Sequence, residues 1–152
     1  DADLCYEPRT LELLNSKNVV ITPHPKEFAS LLELANLGKF DASEVQKNRF
    51  KLAQVFSRNF KCVLVLKGAN TLIAQGGEVY VMTHGSAALA KGGSGDALSG
   101  IVAGLLAQGY DPLKAAISGT LAHALAAREI KINDYALTAA DVIKGLKCLR
   151  KK

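Results

Sequence analysis

The sequence predicts an α/β fold with a mostly parallel central sheet and one β-hairpin, and three observations carry that prediction. Residues 18–22 form a short, β-branched stretch, and residues 61–66 form a run that is apolar from Cys62 onwards. Both are expected to be buried strands, the second one central and parallel. Two further strand patterns between residues 72 and 81 are joined through Gly76-Gly77, a typical hairpin turn. From residue 97 onwards the apolar residues recur at helical spacing.

Helices are expected in the first half of the chain wherever apolar residues repeat every three or four positions. A short helix follows Pro8, and a second begins at Pro25, which suits the first helical position. A third helix begins after Ser43, which is a reasonable N-cap. The apolar faces of these helices are Leu11, Leu13 and Leu14, then Phe28, Leu31, Leu32 and Leu34, then Val45, Leu52, Val55 and Phe56.

The second half of the chain is predicted to be mostly helical. One helix spans 97–108 and stops at Gly109, a residue type common just after helix ends. Another helix opens at Asp111-Pro112, and its Ala-rich composition implies close helix packing. The last helix opens at Thr138 with Asp141 three residues later, a variant of the capping box.

The composition is that of an ordinary globular chain of 152 residues, of which 49% are hydrophobic and 22% are charged. The net charge is +5, and the one basic cluster is expected to be a solvated helix end: Lys144, Lys147, Arg150, Lys151 and Lys152. Four Tyr, five Phe and no Trp offer little for base stacking, so nucleic acid is not expected as a partner. No stretch reaches transmembrane length and no signal peptide is recognised, so a membrane is not expected either.

The three cysteines, Cys5, Cys62 and Cys148, are an odd number without a C-x-x-C pair. No combination of His and Cys has a spacing suited to zinc. All three are expected to be reduced, buried thiols in a cytoplasmic protein.

A glycine-rich stretch at residues 90–100 leads to one carboxylate and then into a helix. The amides of Gly92, Gly93, Ser94 and Gly95 are expected to form an anion hole, aided by the positive end of the helix dipole. The Asp96 carboxylate would repel an anion bound beside it. A catalytic role would explain its presence, such as removing a proton from a hydroxyl that attacks a phosphoryl group. The stretch is neither G-x-x-x-x-G-K-[ST] nor G-x-G-x-x-G. An acid in a first helical turn is also favourable by itself, so a purely structural role stays open.

Polar residues also follow the two predicted parallel strands, where ligands collect in α/β proteins. His24 and Glu27 follow the first strand, and Lys67 leads the segment 67–71 after the second. Each has a structural alternative, because His24 suits a helix cap, Glu27 a solvated first-turn acid and Lys67 a surface lysine.

Together these motifs identify a resemblance that runs nearly end to end. The stretches 22–27, 66–71 and 92–96, with Asp1-Ala2-Asp3 in front and 137–141 behind, resemble the ADP-dependent NAD(P)H-hydrate dehydratases. The resemblance implies a ribokinase-like three-layer α/β/α fold. Residues 1–152 are expected to be the C-terminal portion of a single domain of this kind, and the chain is expected to be a fragment, a cleaved product or one half of a longer domain.

The resemblance implies dehydration of the S form of NAD(P)H hydrate back to NAD(P)H, using ADP, which gives AMP and phosphate, or ATP. Asp96 is then the catalytic base, and His24 and Asp96 bind the hydrate. The nucleotide is bound by Lys67, Gly68, Ala69, Asn70, Thr71 and Gly95. Magnesium is implied as a cofactor without an assigned protein ligand, and a homo-oligomer, a cytoplasmic location and a fused epimerase domain in the full-length protein are implied as well.

Two other functions stay open. A ribokinase-like kinase acting on a vitamin-precursor alcohol would use the same Asp96 as base. A non-catalytic nucleotide sensor would need no catalytic base. In ribokinase-like kinases an Asn-x-x-Glu helps to arrange magnesium, and His24 stands here in place of that Asn, which fits the dehydratase better and leaves the role of Glu27 open. His123 is expected to be a packed or half-exposed histidine, His84 is assigned nothing, and Asp1 and Asp3 are candidates for the pocket wall.

Overall fold

The computed structural model describes Leu4, Glu7 and residues 9–149. Expectations for Asp1, Asp3, Cys5 and residues 150–152 lie outside this part of the chain. The chain divides into two compact units, one ending at Val81 and the other beginning at Met82, and each is described by itself.

The first unit carries a mixed sheet in the strand order β1-β2-β3-β4. Its elements are α1 (Thr10–Leu14), β1 (Val20–Ile21), α2 (Pro25–Leu34), α3 (Ala42–Asn59), β2 (Val63–Leu66), β3 (Leu72–Gln75) and β4 (Glu78–Val81). Strand β1 pairs parallel with β2, whereas β2 with β3 and β3 with β4 are antiparallel. The predicted hairpin is therefore confirmed. Parallel pairing, which was expected to dominate, accounts for one of the three strand pairings among the described residues. The reason is that the short connection 67–71 can join only antiparallel strands.

The core of the first unit lies between the sheet and helices α2 and α3. Strand β2 is buried along its whole length, as its continuous apolar run predicts. The rings of Phe28 and Phe56 meet edge to face with their centroids 5.3 Å apart. Cys62 is buried in this core, and burial raises the pKa of its thiol to about 12, so it is an inert core residue.

The second unit is built from helices α4 (Ser94–Ala107), α5 (Pro112–Glu129) and α6 (Ala139–Gly145), with 3-10 turns at Ala87–Leu89 and Leu146–Cys148. Small residues allow the close packing that the Ala-rich sequence predicts. A Cβ added at Gly119 would lie 2.7 Å from Val102 Cγ2, and one at Gly145 would lie 2.3 Å from the carbonyl oxygen of Ala126. Cys148 is exposed, so its predicted burial is wrong.

Two helix starts differ from the prediction. Helix α3 is capped by Asp41, which forms a capping box with Glu44, so the N-cap predicted at Ser43 is wrong by two residues. Asp41 and Glu44 satisfy two backbone donors reciprocally, which a lone Ser43 does not. Helix α4 begins at Ser94 instead of residue 97, because Gly93 takes a left-handed conformation with φ 80° and turns the chain into the helix early.

The remaining predicted caps are confirmed. Thr138 and Asp141 form the expected capping box, and Asp111 accepts hydrogen bonds from the first amides of α5. Among the described residues no helix is long and apolar enough to cross a membrane.

Candidate functional site

The first unit brings His24 and Lys67 to the same edge of the sheet. Beyond the paired residues of β1 and β2, the Lys67 N–H donates to the Pro23 carbonyl oxygen at 2.9 Å. The parallel pairing therefore continues past the strand ends, and both residues lie at carboxyl ends of neighbouring strands, as predicted.

Glu27 joins these two residues with a buried carboxylate. Its Oε2 accepts the His24 backbone N–H at 2.5 Å and lies 3.7 Å from Lys67 Nζ, while its Oε1 lies 3.2 Å from His24 Nε2. Glu27 is only 8% exposed, so the solvated acid considered from the sequence is wrong. A buried carboxylate needs such partners, and this one holds the His24 ring and the Lys67 ammonium in place.

His24 is also a helix cap. Its Nδ1 accepts the Glu27 N–H at 3.1 Å, which completes a capping box at the start of α2. Because Nδ1 accepts this hydrogen bond, the ring proton of the neutral form lies on Nε2, which faces Glu27. The His24 side chain remains 46% exposed, so the capping role leaves part of the ring open to a ligand.

The loop after β2 presents Gly68, Ala69 and Asn70 to solvent. Thr71 closes this loop on itself, because its hydroxyl donates to the Gly68 carbonyl oxygen at 3.3 Å. A short, exposed and internally closed loop at a strand end is a suitable place for backbone contacts to a ligand.

Arg49 is a residue of this region that the sequence interpretation missed. Its Nη2 donates to the carbonyl oxygens of Leu66 at 3.1 Å and Lys67 at 3.4 Å. Burial lowers the pKa of Arg49 from its usual value. A signal was present, since Arg49 falls at helical spacing between Val45 and Leu52 on the buried face of α3, where a charge is unexpected.

In the second unit the glycine stretch forms the start of α4. The first N–H groups of a helix have no partner within it, and those of Gly95 and Asp96 make no hydrogen bond to the described residues. Ser94 differs, because its N–H donates to the Lys91 carbonyl oxygen at 3.3 Å. The amides open to an anion are therefore those of the glycines and of Asp96, while Ser94 is engaged inside the protein.

The Ser94 side chain is paired with His123 of α5. Their Oγ and Nε2 atoms lie 3.3 Å apart, and both residues are buried. Burial lowers the pKa of His123, and the hydrogen bond with Ser94 partly opposes that shift. His123 is thus a packed histidine, as expected, with the additional task of orienting the first residue of α4.

Lys91 is a second residue that was missed. Its Nζ donates to the carbonyl oxygens of Asp134 at 2.7 Å and Leu137 at 2.9 Å. The ammonium thereby ties the glycine stretch to the segment that leads into α6. Contacts across more than forty residues of chain leave no local sequence pattern, so only the fold reveals them.

A cavity of about 610 Å³ lies beside the start of α4 within the second unit. Its wall consists of small and apolar residues apart from one exposed carboxylate: Gly93, Asp96, Ala97, Gly100, Ile101, Ala139, Ile143 and Leu146. The volume is in the range of small-molecule sites, and an apolar wall with one polar group is typical of them. Asp96 therefore stands where a bound ligand would meet it.

The predicted residues thus fall into two sets. His24, Lys67 and the loop to Thr71 belong to the first unit, and Gly92 to Asp96 belong to the second. Each set is brought together inside its own unit. No group of three or more His, Cys, Asp or Glu side chains in the described part of the chain is placed to hold a metal ion.

Comparison with known proteins identifies relatives along the whole chain. Residues 2–147 match the family model of NAD(P)H-hydrate dehydratase. The bifunctional NAD(P)H-hydrate repair enzyme Nnr of Helicobacter pylori is 49% identical over 98% of this chain, and the ADP-dependent (S)-NAD(P)H-hydrate dehydratase of Neisseria meningitidis is 40% identical over 85% of it. Among solved structures, the ADP/ATP-dependent NAD(P)H-hydrate dehydratase of Bacillus subtilis, co-crystallised with ATP/Mg2+ and soaked with CoA, matches 86% of this chain with a TM-score of 0.77 and 32% identity.

The relatives are longer than this chain. It spans 32% of the length of the Helicobacter protein, 41% of the Neisseria protein and 47% of the Bacillus chain. The fold class is confirmed by the Bacillus structure, whose ribokinase-like α/β fold this chain shares.

Proposed function

The chain belongs to the NAD(P)H-hydrate dehydratase family, and on that premise we propose that the protein converts the S form of NAD(P)H hydrate back to NAD(P)H. ADP, giving AMP and phosphate, or ATP is the co-substrate. The observation that carries the proposal is Asp96, an exposed carboxylate on the wall of a 610 Å³ cavity beside helix amides that have no partner among the described residues. Anionic phosphates suit those amides, and the acid suits a proton transfer next to them.

Asp96 is assigned the role of general base. It removes the proton from the ring hydroxyl of the hydrate, and that oxygen bonds to the terminal phosphorus of ADP while the bond to AMP breaks. Phosphate then leaves with the carbon–oxygen bonding pair, pushed by the lone pair of the ring nitrogen. Loss of a proton from the neighbouring ring carbon restores the dihydropyridine. Backbone N–H groups at Gly95 and Asp96 would stabilise the charge that develops on the phosphoryl oxygens.

The nucleotide and hydrate assignments are made within each unit separately. In the first unit, Lys67 to Thr71 are assigned to the nucleotide and His24 to the hydrate, supported by the exposed loop and the partly open His24 ring. In the second, Gly92, Gly93 and Gly95 are assigned to phosphate oxygens, supported by the left-handed Gly93, which leaves no side chain in the way. Ser94 is assigned a structural part in the anion hole, because its N–H bonds the Lys91 carbonyl oxygen and fixes the turn before α4.

Magnesium remains part of the proposal. Mg²⁺ usually keeps several waters and is bound by substrate phosphates with few protein carboxylates. The described residues fit that mode, because they hold no three-residue metal cluster and the Glu27 oxygens are already engaged by His24 and Lys67. The ion would enter with the nucleotide that the glycine stretch holds, and when bound it would offset the charge of the phosphates.

The wider organisation is proposed on the same premise. Residues 1–152 are assigned to the C-terminal portion of one dehydratase domain, and the bifunctional relative supports an epimerase domain in the full-length protein. A homo-oligomer and a cytoplasmic location, where the nicotinamide cofactors are used, complete the proposal.

Replacement of Asp96 by Asn tests the chemical role. The full-length Asp96→Asn variant is expected to lose turnover of NADH hydrate by at least about 100-fold, since a positioned base contributes that much or more. Its ADP affinity, measured by calorimetry, is expected to stay within a few-fold of the parent protein. Unchanged turnover in this variant would contradict the assignment.

A further inference from the structure

We propose that Arg49 is a positioning residue that holds the loop Lys67–Thr71 in the conformation that binds the polyphosphate of the nucleotide. The inference rests on the proposed function, because ADP is the ligand assigned to this loop. Arg49 donates through Nη2 to the carbonyl oxygens of both Leu66 and Lys67, the last residue of β2 and the first of the loop. One guanidinium therefore spans the point where the strand becomes the loop.

Gly68 shows how closely the guanidinium approaches the loop. A Cβ added there would lie 2.5 Å from Arg49 Nη1 and 2.7 Å from Nη2. The φ angle of Gly68 is outside the left-handed region, so the backbone does not require glycine. A side chain at this position would displace the guanidinium, the flexible end of Arg49, from the loop, so Gly68→Ala is expected to disturb the contact without unfolding the protein.

The contacts also favour an anion. Carbonyl oxygens are the negative ends of peptide dipoles and repel a phosphate that they face. By binding those of Leu66 and Lys67, Arg49 offsets their partial charge and brings a cation to the start of the loop. Arg49 reaches both acceptors through the single nitrogen Nη2, and the Lys91 ammonium binds two carbonyl oxygens in the same way, so a lysine at this position would keep part of the effect.

Placing the Arg49 guanidinium on this face of α3 costs desolvation energy. The neighbouring Asn48 leaves helical geometry, with φ −115° and ψ 16°, and Arg49 itself lies between the buried residues Val45 and Leu52. Its Nε is buried without a hydrogen-bond partner among the described residues. Buried donors without a partner are rare and usually occur where the same group has another role. For Arg49 that role is the pair of hydrogen bonds to the loop.

The test is a double-mutant cycle in the full-length protein with the variants Arg49→Ala, Gly68→Ala and both together, plus Arg49→Lys. ADP affinity is measured by calorimetry and the ADP KM and kcat by turnover of NADH hydrate. Arg58→Ala is the matched control, because Arg58 lies on the same helix and approaches Gly77 in the hairpin turn, away from the assigned site. Circular dichroism and melting temperature check folding, and Gly68→Ala keeps the test valid if Arg49→Ala does not fold.

Arg49→Ala and Gly68→Ala are each expected to weaken ADP binding and raise its KM about tenfold with kcat changed less than threefold. The double variant should resemble either single variant, because both remove the same contact. Arg49→Lys should weaken ADP binding less than Arg49→Ala, because an ammonium can also donate to two carbonyl oxygens, as that of Lys91 does. Arg58→Ala should bind ADP within twofold of the parent.

Parent-like ADP binding by Arg49→Ala or Gly68→Ala, or a 100-fold loss in the double variant, would overturn the inference. If the parent binds ADP with the expected pattern but does not dehydrate the hydrate, the role of Arg49 stands and the proposed function fails. If the parent turns over the hydrate without that pattern, only the role of Arg49 fails. A parent protein that binds no ADP overturns both.

Discussion

The two ends of helix α4 offer a matched pair of glycines that separates backbone strain from ligand binding. Gly93 precedes the helix with φ 80°, and Gly109 follows it with φ 84°. Alanine at a left-handed position costs about 1 to 2 kcal/mol, so Gly93→Ala and Gly109→Ala should destabilise the protein equally. For a domain of 150–250 residues this corresponds to a fall in melting temperature of roughly 2–8 °C.

Neither substitution adds a clash to that strain. Among the described residues, a Cβ at Gly93 would meet only Ala139 Cβ, at 3.4 Å, and one at Gly109 would meet nothing within 4 Å. The difference is location, because Gly93 lines the cavity that contains Asp96 and Gly109 does not. A methyl group at Gly93 should therefore obstruct the phosphate and raise the ADP KM about tenfold, which corresponds to about 1.4 kcal/mol.

The assay compares both variants with the parent protein by thermal melting and by ADP-dependent turnover. Equal melting shifts, with an ADP defect in Gly93→Ala alone, are the expected outcome. An unchanged ADP KM in Gly93→Ala would refute the anion hole at the start of α4. An equal ADP defect in both variants would show that strain, rather than obstruction, causes the loss.

Two further predictions concern the second unit. Burial in the folded state lowers the pKa of His123 from its usual value of 6.5, which favours the neutral ring. The contribution of His123 to stability is therefore complete above pH 6.5 and declines as the pH falls, until the His123 ring of the folded protein is protonated as well. His123→Gln should flatten the fall in melting temperature between about pH 7 and pH 5, and an unchanged slope would assign it to other groups. Gly145→Ala should destabilise by about 3 kcal/mol, because its Cβ would lie 2.3 Å from the Ala126 carbonyl oxygen. Gly104→Ala, in open space on α4, should instead stabilise by up to about 1 kcal/mol in urea unfolding, and similar effects of the two substitutions would contradict the packing described.

The parts of the fold that local patterns determine could be predicted from the sequence. Strand β2 is apolar throughout because all four of its residues are buried, and Gly76-Gly77 makes the hairpin because both glycines take positive φ. The early start of α4 could not be predicted, because it depends on the left-handed conformation that Gly93 adopts. The antiparallel pairing of β2 with β3 could not be predicted either, since a buried strand gives no sign of the direction of its second neighbour.

The sequence predicted the residues of the candidate site that belong to local motifs, but few of the contacts between them. His24 and Lys67 meet as expected because parallel strands end at the same edge of the sheet. Their link through the buried Glu27, and the contacts of Arg49 and Lys91 with distant carbonyl oxygens, join residues far apart in the chain. Such contacts depend on tertiary packing, which no local spacing encodes. The placement of Arg49 on an apolar helix face was the single local indication.

Product analysis with the full-length protein tests the central claim most directly. The protein is incubated with the S form of NADH hydrate and ADP, and the absorbance of reduced nicotinamide is followed together with AMP and phosphate. We expect the three products to form in equal amounts in the parent protein and none to form in Asp96→Asn. A stable phosphorylated product without reduced nicotinamide would show a kinase instead, and ADP binding without any turnover would show a nucleotide sensor.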